Sequence, residues 1–121
     1  MATFETCKLK DAALDWVIAQ INNIDVEIKD GEVFRKEFFE QYGDFFDELY
    51  TPSSDWDLGG PFIDKYKLKF DIFDDGLIEA YRNDDSRPGS GNTHLEAAMR
   101  AIVQIEFGDT VEIPDSLINI N

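Results

Sequence analysis

One cysteine and one histidine among 121 residues leave little material for the commonest kinds of site chemistry. Cys7 alone excludes an intrachain disulfide and a thiolate metal cluster, and it reads as an ordinary small apolar residue near the chain start. His94 is the sole imidazole, so a His-containing metal site would need carboxylates for its other ligands. At the start of a helix it reads instead as a solvated or capping residue. Basic residues are scarce as well: 11 Lys and Arg stand against 26 Asp and Glu, for a formal net charge of −15. A field of that sign repels phosphate backbones and anionic lipid, which disfavours direct nucleic-acid or membrane binding and favours basic surfaces. No apolar run approaches the roughly 18 to 20 residues that cross a bilayer. The opening Met1-Ala-Thr-Phe-Glu-Thr6 lacks the basic and apolar pattern of a signal peptide, so the expected location is the cytoplasm.

Catalytic signatures are missing too. There is no Walker loop, no Gly-x-Gly-x-x-Gly, no His-Glu-x-x-His, no Cys-x-x-Cys and no EF-hand loop. The acidic pairs Asp74-Asp75 and Asp84-Asp85 read as solvated turns rather than cation sites. No catalytic residue, metal ligand or cofactor is assigned, and the expectation is a protein that binds without turnover. A carboxylate-paired hydrolase of a signalling nucleotide ranks third, because nothing selects a pair among so many acids.

What is present suits a single domain over residues 1–121 with one core. Residues 10–22 predict a helix, with Leu14, Val17, Ile18 and Ile21 on one stripe and Trp16 off it. Residues 25–35 predict a hairpin turning at Asp30-Gly31, and residues 68–82 a second one turning at Asp74-Asp75-Gly76. Residues 83–92 are rich in turn formers and predict a mobile loop. Thr93 opens the best helix, with Glu96 as capping-box partner and Leu95, Ala98, Met99 and Ile102 on one face; it should stop at Gly108. Residues 36–49, acidic and rich in Phe, look like an insertion that is partly helical and broken near Gly43. Its Phe side chains are expected in the core; facing solvent, they would form an apolar patch suited to a protein partner. From Glu37 to Asp85 fourteen acids face four bases, so most of the charge excess lies mid-chain. The fold class is α+β, a small antiparallel sheet of two hairpins with helices packed on one face.

The stretch Tyr50-Thr-Pro-Ser-Ser-Asp-Trp56, followed by Gly59-Gly-Pro61, reads as a loop that carries a site. An indole in a loop either plugs the core or lines a cleft. Gly59 and Gly60 can take positive φ and admit a ligand, and Pro61 fixes the exit direction. Tyr50, Ser53, Ser54, Asp55 and Trp56 offer hydroxyls, an acceptor and a flat ring. Asn92 and Thr93 stand at a helix start whose free N–H groups favour an anion, and Arg87 and Arg100 could add positive charge. Together they would suit a base or ribose on the indole with a phosphate at the helix end. A homodimer, or a higher oligomer, would let loops of different subunits close one site.

Ala12-Ala-Leu-Asp-Trp16, the Tyr50–Trp56 loop with Gly59-Gly-Pro61, Asn92-Thr-His-Leu-Glu-Ala-Ala-Met-Arg100, Phe107-Gly-Asp109 and Val111-Glu-Ile-Pro114 resemble the NinX-like phage protein family, small lambdoid-phage accessory proteins. Departures are the Phe-rich stretch and the Gly-Asn-Thr-His run, where members tend to have Gly-Pro-Thr-Pro. The resemblance implies a phage origin, action inside an infected bacterium and a dispensable role of the kind that often antagonises host defence. The leading expectation is sequestration of a nucleotide-like signal. The alternative is an acidic decoy, a nucleic-acid mimic that blocks a basic surface of a host nuclease or regulator.

Overall fold

Helix α1 (Asp11–Ile21) forms where the apolar stripe requires it: Leu14, Val17 and Ile18 are completely buried, and Trp16 and Ile21 flank them half-buried. Its partner across the core is α3 (His94–Phe107), which contributes Ala98, Met99, Ile102 and Val103. These two helices meet face to face in a computed structural model that describes residues 1–83 and 87–118. The Asp84-Asp85 pair lies outside the described residues.

Strands β1 (Ala2–Glu5), β2 (Val26–Lys29), β3 (Glu32–Phe39), β4 (Asp44–Leu49), β5 (Lys69–Ile72), β6 (Ile78–Tyr81), β7 (Gly89–Gly91) and β8 (Thr110–Ile113) pair antiparallel throughout. The α+β expectation holds. The strands are divided, however, into a β1/β8 ribbon and two three-stranded sheets, in the orders β2-β3-β4 and β5-β6-β7. Both predicted hairpins are present. Asp30 and Gly31 have φ of 52° and 76°, the paired positive values of a two-residue turn whose twist matches its strands.

Three expectations are corrected. Residues 36–49 are not helical: β3 runs on to Phe39, residues 40–43 turn, and β4 returns with Phe38 opposite Phe45 and Glu37 opposite Phe46. A seven-residue spacing between aromatics is common to a helix face and to this hairpin, and cross-strand pairing decides it. The Trp segment is likewise not an open loop. It contains helix α2 (Trp56–Lys65), capped by Asp55, whose Oδ1 accepts the Asp57 N–H at 2.9 Å. Gly59, Gly60 and Pro61 therefore lie inside a helix, so Pro61 sets no exit direction. Gly59 is required for closeness rather than for positive φ, since a Cβ there would stand 2.1 Å from the Pro52 carbonyl oxygen. The third correction is β7, in residues read as loop. Gly89 presses so hard on α3 that an added Cβ would sit 2.1 Å from the Ala101 nitrogen.

Candidate functional site

The first half of the expected site divides at Asp55. On one side Tyr50, which follows β4, is buried, and its N–H donates to the Val33 carbonyl at 2.9 Å. Its hydroxyl is enclosed with no hydrogen-bond partner among the described residues, and burial pushes its pKa up to about 12. Ser53 is buried as well, and its N–H donates to Asp15 Oδ1 at 2.8 Å. Tyr50, Ser53 and Ser54 line a cavity of about 280 Å³ together with Asp11, Asp15 and Glu32. Every ionisable wall group besides Tyr50 is a carboxylate. Desolvation pushes Asp15 up to about 7, against the pull of the Ser53 hydrogen bonds.

On the other side Trp56 is 57% exposed, so it is no core plug. The α2 and α3 starts do meet: Gly59 lies against Leu95, the indole is 6.4 Å from the His94 ring, and His94 lies edge-on to Phe70 at 5.0 Å. The polar groups expected to hold a phosphate are, however, already engaged. Thr93 Oγ1 accepts the Glu96 N–H at 3.1 Å, and Glu96 Oε1 accepts the Asn92 N–H at 3.0 Å. Arg100 is a strut rather than an anion clamp: its Nε donates to the Leu9 carbonyl and its Nη1 to the Ser90 carbonyl, each at 2.7 Å, and Nη1 also meets Glu96. Arg87 pairs with Asp109. With Asp57 in the first turn of α2 and Glu96 in that of α3, carboxylates stand where a phosphate would have to sit.

A separate exposed feature is the far end of the β3–β4 hairpin. Strand β2 stops opposite Arg35, so residues 36–47 project as a two-stranded arm. Aromatic side chains crowd both of its faces. Phe38 and Phe45 pair at 5.0 Å on one; Phe46 contacts Phe39 and Tyr42, each at 5.5 Å, on the other. Phe38, Tyr42, Phe45 and Phe46 are 49%, 68%, 60% and 45% exposed, which places them outside the core where they were expected. Glu37, Glu40, Asp44, Asp47 and Glu48 surround them, with Lys36 the arm's own cation and Lys29 of β2 bonded to Asp47. The Glu37 carboxylate beside Glu48 holds Glu48 above its ordinary pKa, while Lys29 holds Asp47 below.

A family model described as Bacteriophage P22, NinX matches residues 5–105. The chain belongs to the NinX family. No curated protein matches it. The family identifies a phage protein, and among the described residues no helix is long and apolar enough to cross a membrane.

In this NinX chain the arm is a hydrophobic ladder bordered by acids. The sequence signal for it is Asp44-Phe-Phe-Asp-Glu-Leu49: with period two, Phe45 and Leu49 fall on one strand face with Asp47, and Phe46 falls on the other with Asp44 and Glu48. A larger groove of about 500 Å³ between Trp16, Gln20, Phe107 and Val111 also carries no basic side chain.

Proposed function

We propose that this phage protein is a non-enzymatic accessory factor that works in the cytoplasm of the infected bacterial host. It docks its β3–β4 arm on a basic surface of a host protein, such as the nucleic-acid groove of a nuclease or regulator. The observation that carries this reading is the exposure of Phe38, Tyr42, Phe45 and Phe46 on an arm whose neighbouring charges are mostly carboxylates. An exposed apolar patch of this kind on a folded domain marks a contact surface, and buried aromatics supply most of the energy of such contacts. The acids steer a basic partner and impose salt dependence. Antagonism of host defence is the role that fits a phage accessory gene acting by blockade.

The test is capture from host extract with three baits: the wild type, Phe45→Ser/Phe46→Ser, and Asp44→Asn/Asp47→Asn/Glu48→Gln. The expected partner binds the wild type, elutes with salt, is lost on both variants and has its own DNA or RNA binding displaced by the wild type. Equal capture on all three baits refutes the reading.

Sequestration of a nucleotide-like ligand is the second reading, and Trp56 standing exposed beside His94 is what favours it. Calorimetric titration with cyclic nucleotides and ADP-ribose derivatives tests it; binding that survives Trp56→Ala, or no binding at all, excludes it.

A further inference from the structure

The arm offers more than side chains, because β4 is the outer strand of its sheet. Tyr50 donates its N–H to the Val33 carbonyl at 2.9 Å, which places residues 33 and 50 at a hydrogen-bonded position of the ladder, and such positions alternate along an antiparallel pair. It follows that Glu48, Phe46 and Asp44 bond inward to β3, while Leu49, Asp47 and Phe45 turn their backbone groups outward. The Phe45 N–H is met by Asp44 Oδ1 at 2.8 Å. Those of Asp47 and Leu49 point away from β3 along an exposed edge.

Resting on the docking reading above, we propose that the arm recognises its partner by strand addition, taking an extended basic segment of that protein alongside β4. Charge complementarity decides the occupant. Asp44, Asp47 and Glu48 give β4 three carboxylates and no cation, so a second copy's β4 would set acid against acid across the new pair. A foreign strand with Lys or Arg at those positions removes the conflict. Strand alternation then specifies the pattern. Phe45 and Leu49 share one face with Asp47, and Phe46 shares the other with Asp44 and Glu48. Running antiparallel from Leu49 back to Asp44, the complement reads apolar, basic, basic, apolar, apolar, basic. Backbone hydrogen bonds supply register, and the alternating pockets and charges supply selectivity.

A synthetic peptide Thr-Val-Lys-Lys-Val-Val-Lys-Thr is the probe, with a scrambled peptide of equal composition and a copy N-methylated at alternate residues on its bonding edge. Binding to the full chain is read by backbone amide NMR and hydrogen exchange. The expected result is tenfold or greater slowing of exchange at Asp47 and Leu49, and at least tenfold weaker binding of the scrambled and N-methylated peptides. Asp47→Pro removes an outward N–H without touching the β3 ladder and should weaken binding at least tenfold beyond Asp47→Asn, which controls for the lost charge. Binding of the N-methylated peptide as tight as that of the parent overturns strand addition, and so does absence of any peptide binding at low salt. In either case, loss of the captured host protein on Phe45→Ser/Phe46→Ser still upholds the docking reading, so the two failures are distinguishable. The N-methylated peptide leaves the protein unaltered and keeps the test valid should Asp47→Pro disturb the arm.

Discussion

Replacing Asp15 by Asn should stabilise the protein, and by an amount that grows with pH. Asp15 lies in α1 at 2% exposure, and its Oδ1 holds the chain after β4 through the Ser53 N–H. Burial is the main cause that raises its pKa from 3.8 to about 7. An acid whose folded pKa is raised gives full stability below its unfolded value and loses it as pH climbs toward the folded one. The unfolded chain gives up its proton near 3.8, while the folded chain keeps it until about 7. With a tenfold change in proton affinity worth ~1.4 kcal/mol, the wild type carries a penalty of about 2 kcal/mol at pH 5 and about 4 kcal/mol at pH 8. Asparagine keeps the acceptor for Ser53 and never ionises, so the variant avoids this loss. Urea unfolding followed by circular dichroism from pH 5 to 8.5, above the low-solubility region around the pI of 4.1, measures the difference directly. A stability gap that stays flat across this range, or a variant less stable than wild type at pH 8, would refute the assignment of Asp15 as a desolvated acid.

Gly59→Ala should destabilise by roughly 2 kcal/mol despite alanine's better helix propensity, because its Cβ meets the Pro52 carbonyl as well as Leu95 Cδ2 at 2.9 Å; thermal melting measures the loss. Arg100→Met should cost about 3 kcal/mol in urea unfolding, since it strips donors from the Leu9 and Ser90 carbonyls and leaves Glu96 without its cation. Thr93→Ala should cost about 1 kcal/mol by the same assay through the lost cap on the Glu96 N–H. Phe45→Ser/Phe46→Ser should lose no more than about 2 kcal/mol, the worth of its cross-strand pairs, so its circular dichroism spectrum and cooperative melt should persist while partner binding disappears.

Elements encoded by near neighbours are legible in the sequence. Leu14, Val17 and Ile18 announce α1; Thr93 with Glu96 announces α3; Asp30-Gly31 announces its turn. The elements that escaped depend on distant partners. Ribbon β1/β8 joins Thr3 to Glu112 across almost the whole chain, which no local pattern records. Gly59 and Gly89 look like loop punctuation because glycine composition does not distinguish freedom to turn from a need for contact. The site was legible only in part. Sequence alone does not show that the Trp56 and His94 helix starts adjoin, and Arg100 reads there as a free cation because its carbonyl partners lie in Leu9, 91 residues away, and in Ser90.

The acids and aromatics of the arm are best understood as one device rather than two. An unpaired strand edge with Phe on both faces is a template for self-association unless something opposes it. Elsewhere that protection commonly comes from lysine or proline on the edge; β4 has neither and uses Asp44, Asp47 and Glu48. Carboxylates repel another copy of the same edge and attract a cationic one, so under the proposed docking a single choice of charge would disfavour self-pairing and select a basic partner. The remainder of the chain fits that division of labour. Arg87 and Arg100 are tied to Asp109 and Glu96, and Lys29 to Asp47, so much of the small cationic content is spent on internal pairing. What the protein presents outward at the arm is therefore apolar surface within a negative field, which is what the proposed docking on a basic surface requires.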